Sequence, residues 1–366
     1  MGLLDYYRQF EGMTEEEVNA GLRAEAAERK RKALTKVETL DLSQTTWPEL
    51  PHPSVVSAIT FVARRGLQRY PHVQGSRLRD EIAEQLGVER GRVILGNGAA
   101  ELLSSAARAL MEPGQRLLTG WPSYPLYPIM AHRAHGQAVR VQGGVDALLE
   151  AAREPGTRVV AIASPNDPTG ELLATAELER LLGGLPADVA VLLDESLVEF
   201  SDAQPLNGSL ALLEDHSRLF VFRSFSKAWG LAGLRVGYAI GGPGSEALLA
   251  ELEPDLGVSE VSQAGALEAM RSCAELVRRR VETVSVERGR LMEALRERGF
   301  EVEESQANFV WAAHPSHDGD ELAARLSRSG VLVAVGAALG EPAHVRIALR
   351  DAAATDRLLS ALDKEA

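Results

Sequence analysis

The sequence predicts an α/β protein with a mainly parallel sheet between helices, followed by a smaller α+β domain. Short apolar, β-branched runs alternate with amphipathic helical patterns through the first two-thirds of the chain, and loops of small polar residues join them. After Gly257 the chain becomes helical before short strands return. Strands separated by helices favour parallel pairing with both faces covered. The 366 residues are enough for one large or two moderate domains.

The first predicted region is an arm at residues 1–40, rich in Glu, Arg and Ala, in which 14–36 fits a solvated helix. Thr14 and Glu17 have capping-box spacing there. The arm is expected to cover an active site or to lie on a partner subunit, and a solvated helix without either role is an equal alternative. A large domain is predicted at 41–260, with 41–66 partly in the small domain, and the small domain at 261–366 begins with a long interdomain helix.

Within the large domain, a proline-punctuated extended segment at 41–53 comes first. Strands are predicted at 92–95, 116–119, 159–163, 189–193, 219–222 and 236–240. Helices are predicted at 54–66, 76–86, 102–111, 125–134 and 174–182. In the small domain, helices are predicted at 262–298, 319–329 and from 353 onward, and strands at 307–311, 331–335 and 345–349.

Composition excludes several classes of function. The net charge of −13 and the pI of about 5.2 argue against a nucleic-acid partner. No apolar run reaches the ~20 residues of a membrane span, and the N-terminus has no signal-peptide pattern. The single cysteine, Cys273, cannot form an intrachain disulfide, and no Cys/His cluster has metal-ligand spacing. These features predict a cytoplasmic protein without a metal.

The stretch that points most clearly to a chemical function is 224–238, which follows one predicted strand and leads into the next. Lys227 lies there among small and aromatic residues. Burial lowers the pKa of a lysine and increases the share of free amine, which can form a Schiff base with an aldehyde. Arg235 is a fixed cation suited to a phosphate. A ligand that carries both an aldehyde and a phosphate suggests pyridoxal 5′-phosphate (PLP). A lone loop lysine is more often simply solvated, so this interpretation depends on the rest of the chain.

Five polar or aromatic residues follow separate strand ends, namely Asn97, Tyr124, Asn166, Asp194 and Lys227. In sheets of this kind, ligands bind beyond the carboxyl ends of the strands. Asp194 could pair with the pyridine nitrogen of PLP and Asn166 could donate to its ring hydroxyl, while Tyr124 could stack on the ring. The structural alternatives are a helix N-cap for Asp194, a turn former for Asn166 and core packing for Tyr124.

A phosphate cup is predicted from the loop that opens a helix at 98–100, whose backbone N–H groups could bind phosphate. Ser226 and Arg235 could complete it.

Several motifs occur in an order that resembles the PLP-dependent aminotransferases of fold type I, class I/II, most of all the histidinol-phosphate aminotransferase branch. They include Ser-Pro-Asn-Asp-Pro-Thr-Gly at 164–170, Asp-Glu at 194–195, Ser-Phe-Ser-Lys at 224–227 and Gly-Leu-Ala-Gly-Leu-Arg at 230–235. Shorter motifs at 70–71, 96–98, 122–124, 307–309 and 345–347 fit the same order. The resemblance covers roughly residues 40–360 and implies a seven-stranded sheet in the large domain and a homodimer with active sites at the interface.

The resemblance also implies a role for each site residue. Lys227 would be the Schiff-base lysine and proton shuttle. Asp194 would hold the pyridinium and Asn166 the ring oxygen, and Tyr124 would stack on the ring. The phosphate would be surrounded by Ala99, Ala100, Ser224, Ser226 and Arg235. Tyr70 would reach the phosphate of the neighbouring subunit, and Arg346 would bind the carboxylate or phosphate of the substrate, with Asn166 beside it.

Some positions depart from the family pattern. Leu197 stands where a tyrosine is usual, Ala334 where the histidinol-phosphate branch has a second arginine, and Ala100 where the phosphate loop has an acidic residue. Thr45-Thr46-Trp47-Pro48 replaces an Asn-Glu-Asn-Pro motif. The predicted function is therefore a ping-pong aminotransferase acting on an amino acid, or on a phosphorylated amino alcohol such as histidinol phosphate, and a 2-oxo acid. The alternatives are a decarboxylase of the same branch, such as one acting on threonine phosphate, and a non-enzymatic PLP-binding protein.

Overall fold

A computed structural model describes residues 39–71 and 76–365 of the chain. The helix predicted at 14–36 lies outside these residues. In the described ranges, no helix combines the length and the apolar character needed to cross a membrane.

The larger sheet has seven strands, which confirms the predicted α/β architecture. Its strands are β2 (Val93–Gly96), β3 (Arg116–Gly120), β4 (Gln137–Val141), β5 (Thr157–Ala163), β6 (Ala190–Asp194), β7 (Leu219–Ser224) and β8 (Gly237–Gly241). Their order across the sheet is β2-β8-β7-β6-β5-β3-β4. The central pairs are parallel, and β8 alone runs antiparallel to both of its neighbours. The sheet is therefore mainly parallel, as the alternation of strands and helices predicts.

Both faces of this sheet are buried. Successive side chains of a strand point to opposite sides, so each strand contributes to a hydrophobic core on either side of the sheet. In β6, Val191 and Leu193 join one hydrophobic core, while Ala190 and Leu192 join the other. The helices that accompany this sheet are α1 (Pro53–Gly66), α2 (Arg77–Leu86), α3 (Ala99–Leu110), α4 (Leu126–Arg133), α5 (Gly144–Ala152), α6 (Thr175–Gly184), α7 (Glu246–Leu252) and α8 (Glu260–Ser272). Because most of the strands are parallel, their carboxyl ends lie at the same edge of the sheet.

The smaller sheet has five strands in the order β1-β11-β12-β10-β9. They are β1 (Leu40–Leu42), β9 (Glu301–Val302), β10 (Phe309–Ala313), β11 (Val331–Val335) and β12 (His344–Ala348). Strand β12 pairs antiparallel with β10 and β11. The helices of this part of the chain are α9 (Ala274–Glu297), α10 (Gly319–Arg328) and α11 (Ala352–Glu365).

Three elements of the large sheet region, strand β4 and helices α5 and α7, have no counterpart among the predicted elements. β4 lies at the edge of the sheet, where Gln137 is exposed and Arg140 interrupts the apolar pattern, so it does not form an apolar run. The unbroken helix predicted at 262–298 is wrong, because Cys273 leaves helical geometry at φ −117° and ψ 9° and separates α8 from α9. Neither Gly nor Pro marks this break in the sequence.

Candidate functional site

A cleft lies at the carboxyl ends of the parallel strands, and most of the predicted site residues line it. Those that do are Ala99, Ala100, Tyr124, Asp194, Ser224, Ser226, Lys227 and Arg235. Three predicted residues, Asn166, Arg346 and Tyr70, are not among its lining residues. The eight predicted residues that line the cleft come from the ends of four strands, β2, β3, β6 and β7.

Lys227 lies in the turn between β7 and β8 and is half-buried. Its Nζ donates a hydrogen bond to Oγ1 of Thr45, a buried residue of the extended segment after β1. Burial lowers the pKa of Lys227, while the carboxylates of Asp167 and Asp194 oppose that shift. A lysine with a lowered pKa has a larger share of free amine at neutral pH, which is the form that attacks a carbonyl carbon.

Asp194 is the last residue of β6 and is only 7% exposed. Its Oδ2 accepts a hydrogen bond from the Tyr127 hydroxyl at 3.1 Å, and its Oδ1 accepts one from the Ser196 backbone N–H at 3.0 Å. Burial raises the pKa of Asp194, and the hydrogen bonds from Ser196 and Tyr127 partly oppose this. Within the described residues this carboxylate has no ion-pair partner, so a cationic ligand atom would relieve the cost of its burial.

The residues predicted to form the phosphate cup lie close together around the start of α3. Gly98 has φ +88°, a conformation that favours glycine, and a Cβ there would lie 2.4 Å from Nη2 of Arg235. Nη1 of Arg235 lies 3.4 Å from Oγ of Ser226, and Oγ of Ser224 accepts from the Ser226 backbone N–H at 3.1 Å. Arg235 makes no ion pair with any residue that the structure describes. This group offers a guanidinium, two hydroxyls and the N-terminus of a helix to an anion.

Tyr124 follows β3 and is 38% exposed, with its ring edge-to-face against Tyr127 at a centroid distance of 5.9 Å. Burial raises the pKa of Tyr124, and the charge of Asp194 adds to the shift. Tyr127 is completely buried, as an aromatic residue of the core would be. The structure gives Tyr127 a second role, because its hydroxyl orients Asp194. No local sequence pattern marks this contact.

Asn166 does not point into the cleft. Its Nδ2 donates to the Pro122 carbonyl at 3.0 Å and to Thr169 Oγ1 at 2.9 Å, and its Oδ1 accepts from Ser123 Oγ at 2.7 Å. The amide therefore has partners within its own loop and the one after β3, and it is not directed at a ligand. The adjacent residue, Asp167, lines the cleft instead.

Arg346, in β12, lies beside the cleft and forms an ion pair with Asp167, with Nη1 2.5 Å from Oδ1. Its register partner on β11 is Ala334, one of the positions that depart from the family pattern. Leu197, which replaces a tyrosine of the family pattern, lines the cleft and is 4% exposed.

Tyr70 is 79% exposed, so its side chain contributes nothing to the cleft within this chain.

The residues of the cleft fit a ligand with a carbonyl, a phosphate and a basic ring nitrogen. A buried carboxylate without a counterion, an amine with a lowered pKa and a guanidinium at a helix N-terminus lie in one cleft. These are the groups that PLP requires. Sequence reasoning missed Thr45, Tyr127 and Asp167. The departure at 45–48 was the only signal for Thr45.

The comparisons with known proteins agree with this geometry. The family model described as "Aminotransferase class I and II" matches residues 37–362. The chain is 35% identical over 276 residues to an aromatic amino acid aminotransferase of Streptomyces coelicolor, covering 74% of this chain and 76% of that protein. It is 36% identical over 329 residues to the protein of the same name from Nocardia farcinica, covering 85% and 89% of the two chains.

Among solved structures, histidinol-phosphate aminotransferase from Sinorhizobium meliloti in complex with pyridoxal-5′-phosphate is similar, with a TM-score of 0.80 and 25% identity. That match covers 93% of each chain. Aspartate aminotransferase of Thermus thermophilus, at 21% identity and a TM-score of 0.78 over 92% of this chain and 99% of that one, shares the fold. The cleft at the strand ends, the match of the family model over most of the chain and the curated relatives agree, and this chain belongs to the class I and II aminotransferases.

Proposed function

We propose that the protein binds pyridoxal 5′-phosphate and moves an amino group between an amino acid, or a related amine, and a 2-oxo acid. When bound, this cofactor accepts the amino group and stabilises negative charge at the substrate's α carbon. The observation that carries the proposal is that Lys227, Asp194 and Arg235 line one cleft without ion-pair partners among the described residues.

Each side chain has a separate task in this proposal. Lys227 Nζ would hold the cofactor's aldehyde carbon and later move a proton at the substrate's α carbon, as its lowered pKa favours. Asp194 would hold a proton on the ring nitrogen, with Tyr127 fixing the orientation of its carboxylate. Arg235, Ser224 and Ser226 would bind the phosphate, with the backbone at Ala99 and Ala100, and Tyr124 would cover the ring.

The identity of the amine belongs to the same proposal. The curated relatives are named for aromatic amino acids, and the structural neighbour from Sinorhizobium meliloti is named for histidinol phosphate. We favour an aromatic or imidazole side chain on the substrate, since Tyr124 and the apolar Leu197 both line the cleft. The decarboxylase and non-enzymatic alternatives are not favoured, because the family and the curated relatives are aminotransferases.

We also propose a homodimer that shares its active sites. Apolar side chains on and after α1 are strongly exposed: Val56 47%, Phe61 60%, Leu67 74% and Tyr70 79%. Several strongly exposed large apolar side chains within one segment are typical of a protein interface. Tyr70 would then reach the phosphate of the partner's cofactor. A cytoplasmic location and the division into a large domain, a small domain and an N-terminal arm, at the predicted boundaries, complete the proposal.

The test is the visible absorption spectrum of the purified protein with PLP, recorded before and after a panel of amino donors is added. We expect a band that donors with aromatic or imidazole side chains convert to the pyridoxamine form, and that a 2-oxo acid restores. No band with PLP supplied would contradict cofactor binding. A band that no donor alters would contradict amino-group transfer.

A further inference from the structure

Two of the three nitrogens of the Arg346 guanidinium already have partners in the protein. Its Nη1 is ion-paired with Asp167 Oδ1 at 2.5 Å, and its Nη2 donates to the Ser43 carbonyl at 3.1 Å. Its Nε is buried and has no acceptor among the described residues. Carboxylates are bound most strongly through two parallel N–H donors of an arginine, so a substrate carboxylate bound in that way must share this guanidinium with Asp167 or displace it.

The competing carboxylate of Asp167 is held in place by its loop. The side chains of Asp167 and Arg346 are each only 12% exposed. Asn166 fixes the loop through three hydrogen bonds, to Pro122, Ser123 and Thr169. Because this carboxylate is already ordered and largely desolvated, it loses little entropy by staying on Arg346, whereas an incoming ligand must become ordered there.

The loop is also fixed on its far side. Gly170 has φ +78°, and a Cβ at this position would lie 2.2 Å from Oγ of Ser305. Only glycine fits that contact, which joins the loop to the segment before β10. The position of Asp167 is thus determined from both ends of the loop.

We propose that Asp167 is a specificity-determining residue that competes with the substrate's carboxylate for Arg346. This proposal rests on the function proposed above. A substrate carboxylate must share Arg346 with Asp167 or displace it, and it enters a cleft to which Asp167 already adds negative charge. The site therefore favours α-carboxylates less than an unpaired arginine would, and it tolerates amines whose reacting carbon carries an uncharged group.

The experiment compares two unreactive probes on the PLP-loaded protein, 3-phenylpropanoate and the uncharged 3-phenylpropan-1-ol. Their dissociation constants are measured by calorimetry and by the change in the visible band. Asp167→Asn should bind the carboxylate at least about tenfold more tightly than wild type, because the competing charge is gone. The alcohol should bind both proteins equally.

The matched control is Glu171→Gln, which removes the same charge from an exposed position of the same loop. It should change neither dissociation constant by more than about twofold, the usual size of a screened surface effect. The double variant Asp167→Asn with Arg346→Met should lose the gain. Asp167→Ala supplies the same test if the asparagine variant does not fold.

Two results separate this proposal from the proposed function. A visible band and donor conversion in the wild type, together with no gain of carboxylate affinity in either Asp167 variant, would overturn the role of Asp167 alone. A gain that persists without Arg346 would overturn it as well. No band in the wild type would overturn the proposed function and this inference with it.

Discussion

The charged side chains at the two ends of the cleft differ in whether they are paired with each other. At the cofactor end, defined by Asp194, Lys227 and Arg235, none of the three charged groups makes an ion pair with another residue that the structure describes. At the substrate end, defined by Asp167 and Arg346, the two charges are paired at 2.5 Å. Of the three, Asp194 is buried, and an unpaired buried charge costs free energy in the protein alone that a ligand of opposite charge relieves. The comparison indicates that the cofactor end is built for a charged ligand, while the substrate end supplies its own countercharge.

The largest effect should come from replacing the amine at the cofactor end. In Lys227→Ala the nucleophile and the proton carrier are both lost, so amino-group transfer should fall by at least about a thousandfold. The measurement is the rate of product formation with saturating PLP, with thermal unfolding as the check that the variant is folded. Full turnover in this variant would remove Lys227 from the chemistry.

A buried pair away from the ligand should behave differently from the charges of the cofactor end. Arg223 and Glu195 pair at 2.8 Å with side chains 3% exposed, and Ser209 also donates to Glu195. Glu195→Ala leaves the Arg223 charge buried without its partner, so the free energy of unfolding should fall by about 3–5 kcal/mol. Denaturant unfolding of the protein without PLP measures this.

The control for that prediction is the exposed pair of Arg153 and Glu150, whose side chains are 73% and 75% exposed. Glu150→Ala should cost less than about 1 kcal/mol. Equal losses of unfolding free energy in the two variants would mean that burial does not determine how much each ion pair contributes to stability.

Glu199 provides a smaller, pH-dependent effect close to the lysine turn. Its Oε1 accepts from Nε1 of Trp229 at 3.1 Å, while its Oε2 is buried without a partner among the described residues. Burial raises the pKa of Glu199 from 4.5 to about 7. The folded protein therefore binds this proton more tightly than the unfolded chain, and the stabilisation is lost as the pH rises from about 4.5 to about 7.

The expected loss over that window is at most about 3 kcal/mol. Glu199→Gln keeps an acceptor for Trp229 and removes the titration. The free energy of unfolding of the wild type should therefore fall relative to this variant between pH 4.5 and 7 and run parallel to it above pH 8. Parallel profiles over the whole range would contradict the raised pKa.

The sequence was informative about the cofactor end because apolar runs mark parallel strands, and the carboxyl ends of parallel strands meet. Asp194 and Lys227 follow such runs directly, so their common location was predicted before any contact was known. Strand β4 was not predicted because it lies at an edge of the sheet, where its residues do not form an apolar run.

The substrate end was harder to predict, for two physical reasons. Asn166 and Asp167 are neighbours in a turn between two prolines, and the backbone of that turn decides which side chain enters the cleft. The partner of Asp167 is 179 residues away in sequence, so no local pattern marks the pair. Thr45 was likewise hidden, because its contact with Lys227 depends on how the segment after β1 crosses the cleft.

The most direct measurement is the free energy of unfolding of Asp194→Asn, with and without saturating PLP. Because burial raises the pKa of Asp194, its ionised form destabilises the fold near neutral pH, and this cost grows as the pH rises through the folded pKa. If this carboxylate is kept for a cationic ligand atom, the variant without PLP should be at least as stable as wild type. It should also gain less stability from PLP, by about 2 kcal/mol or more. A variant that is less stable without PLP and gains as much from it as wild type would contradict that role.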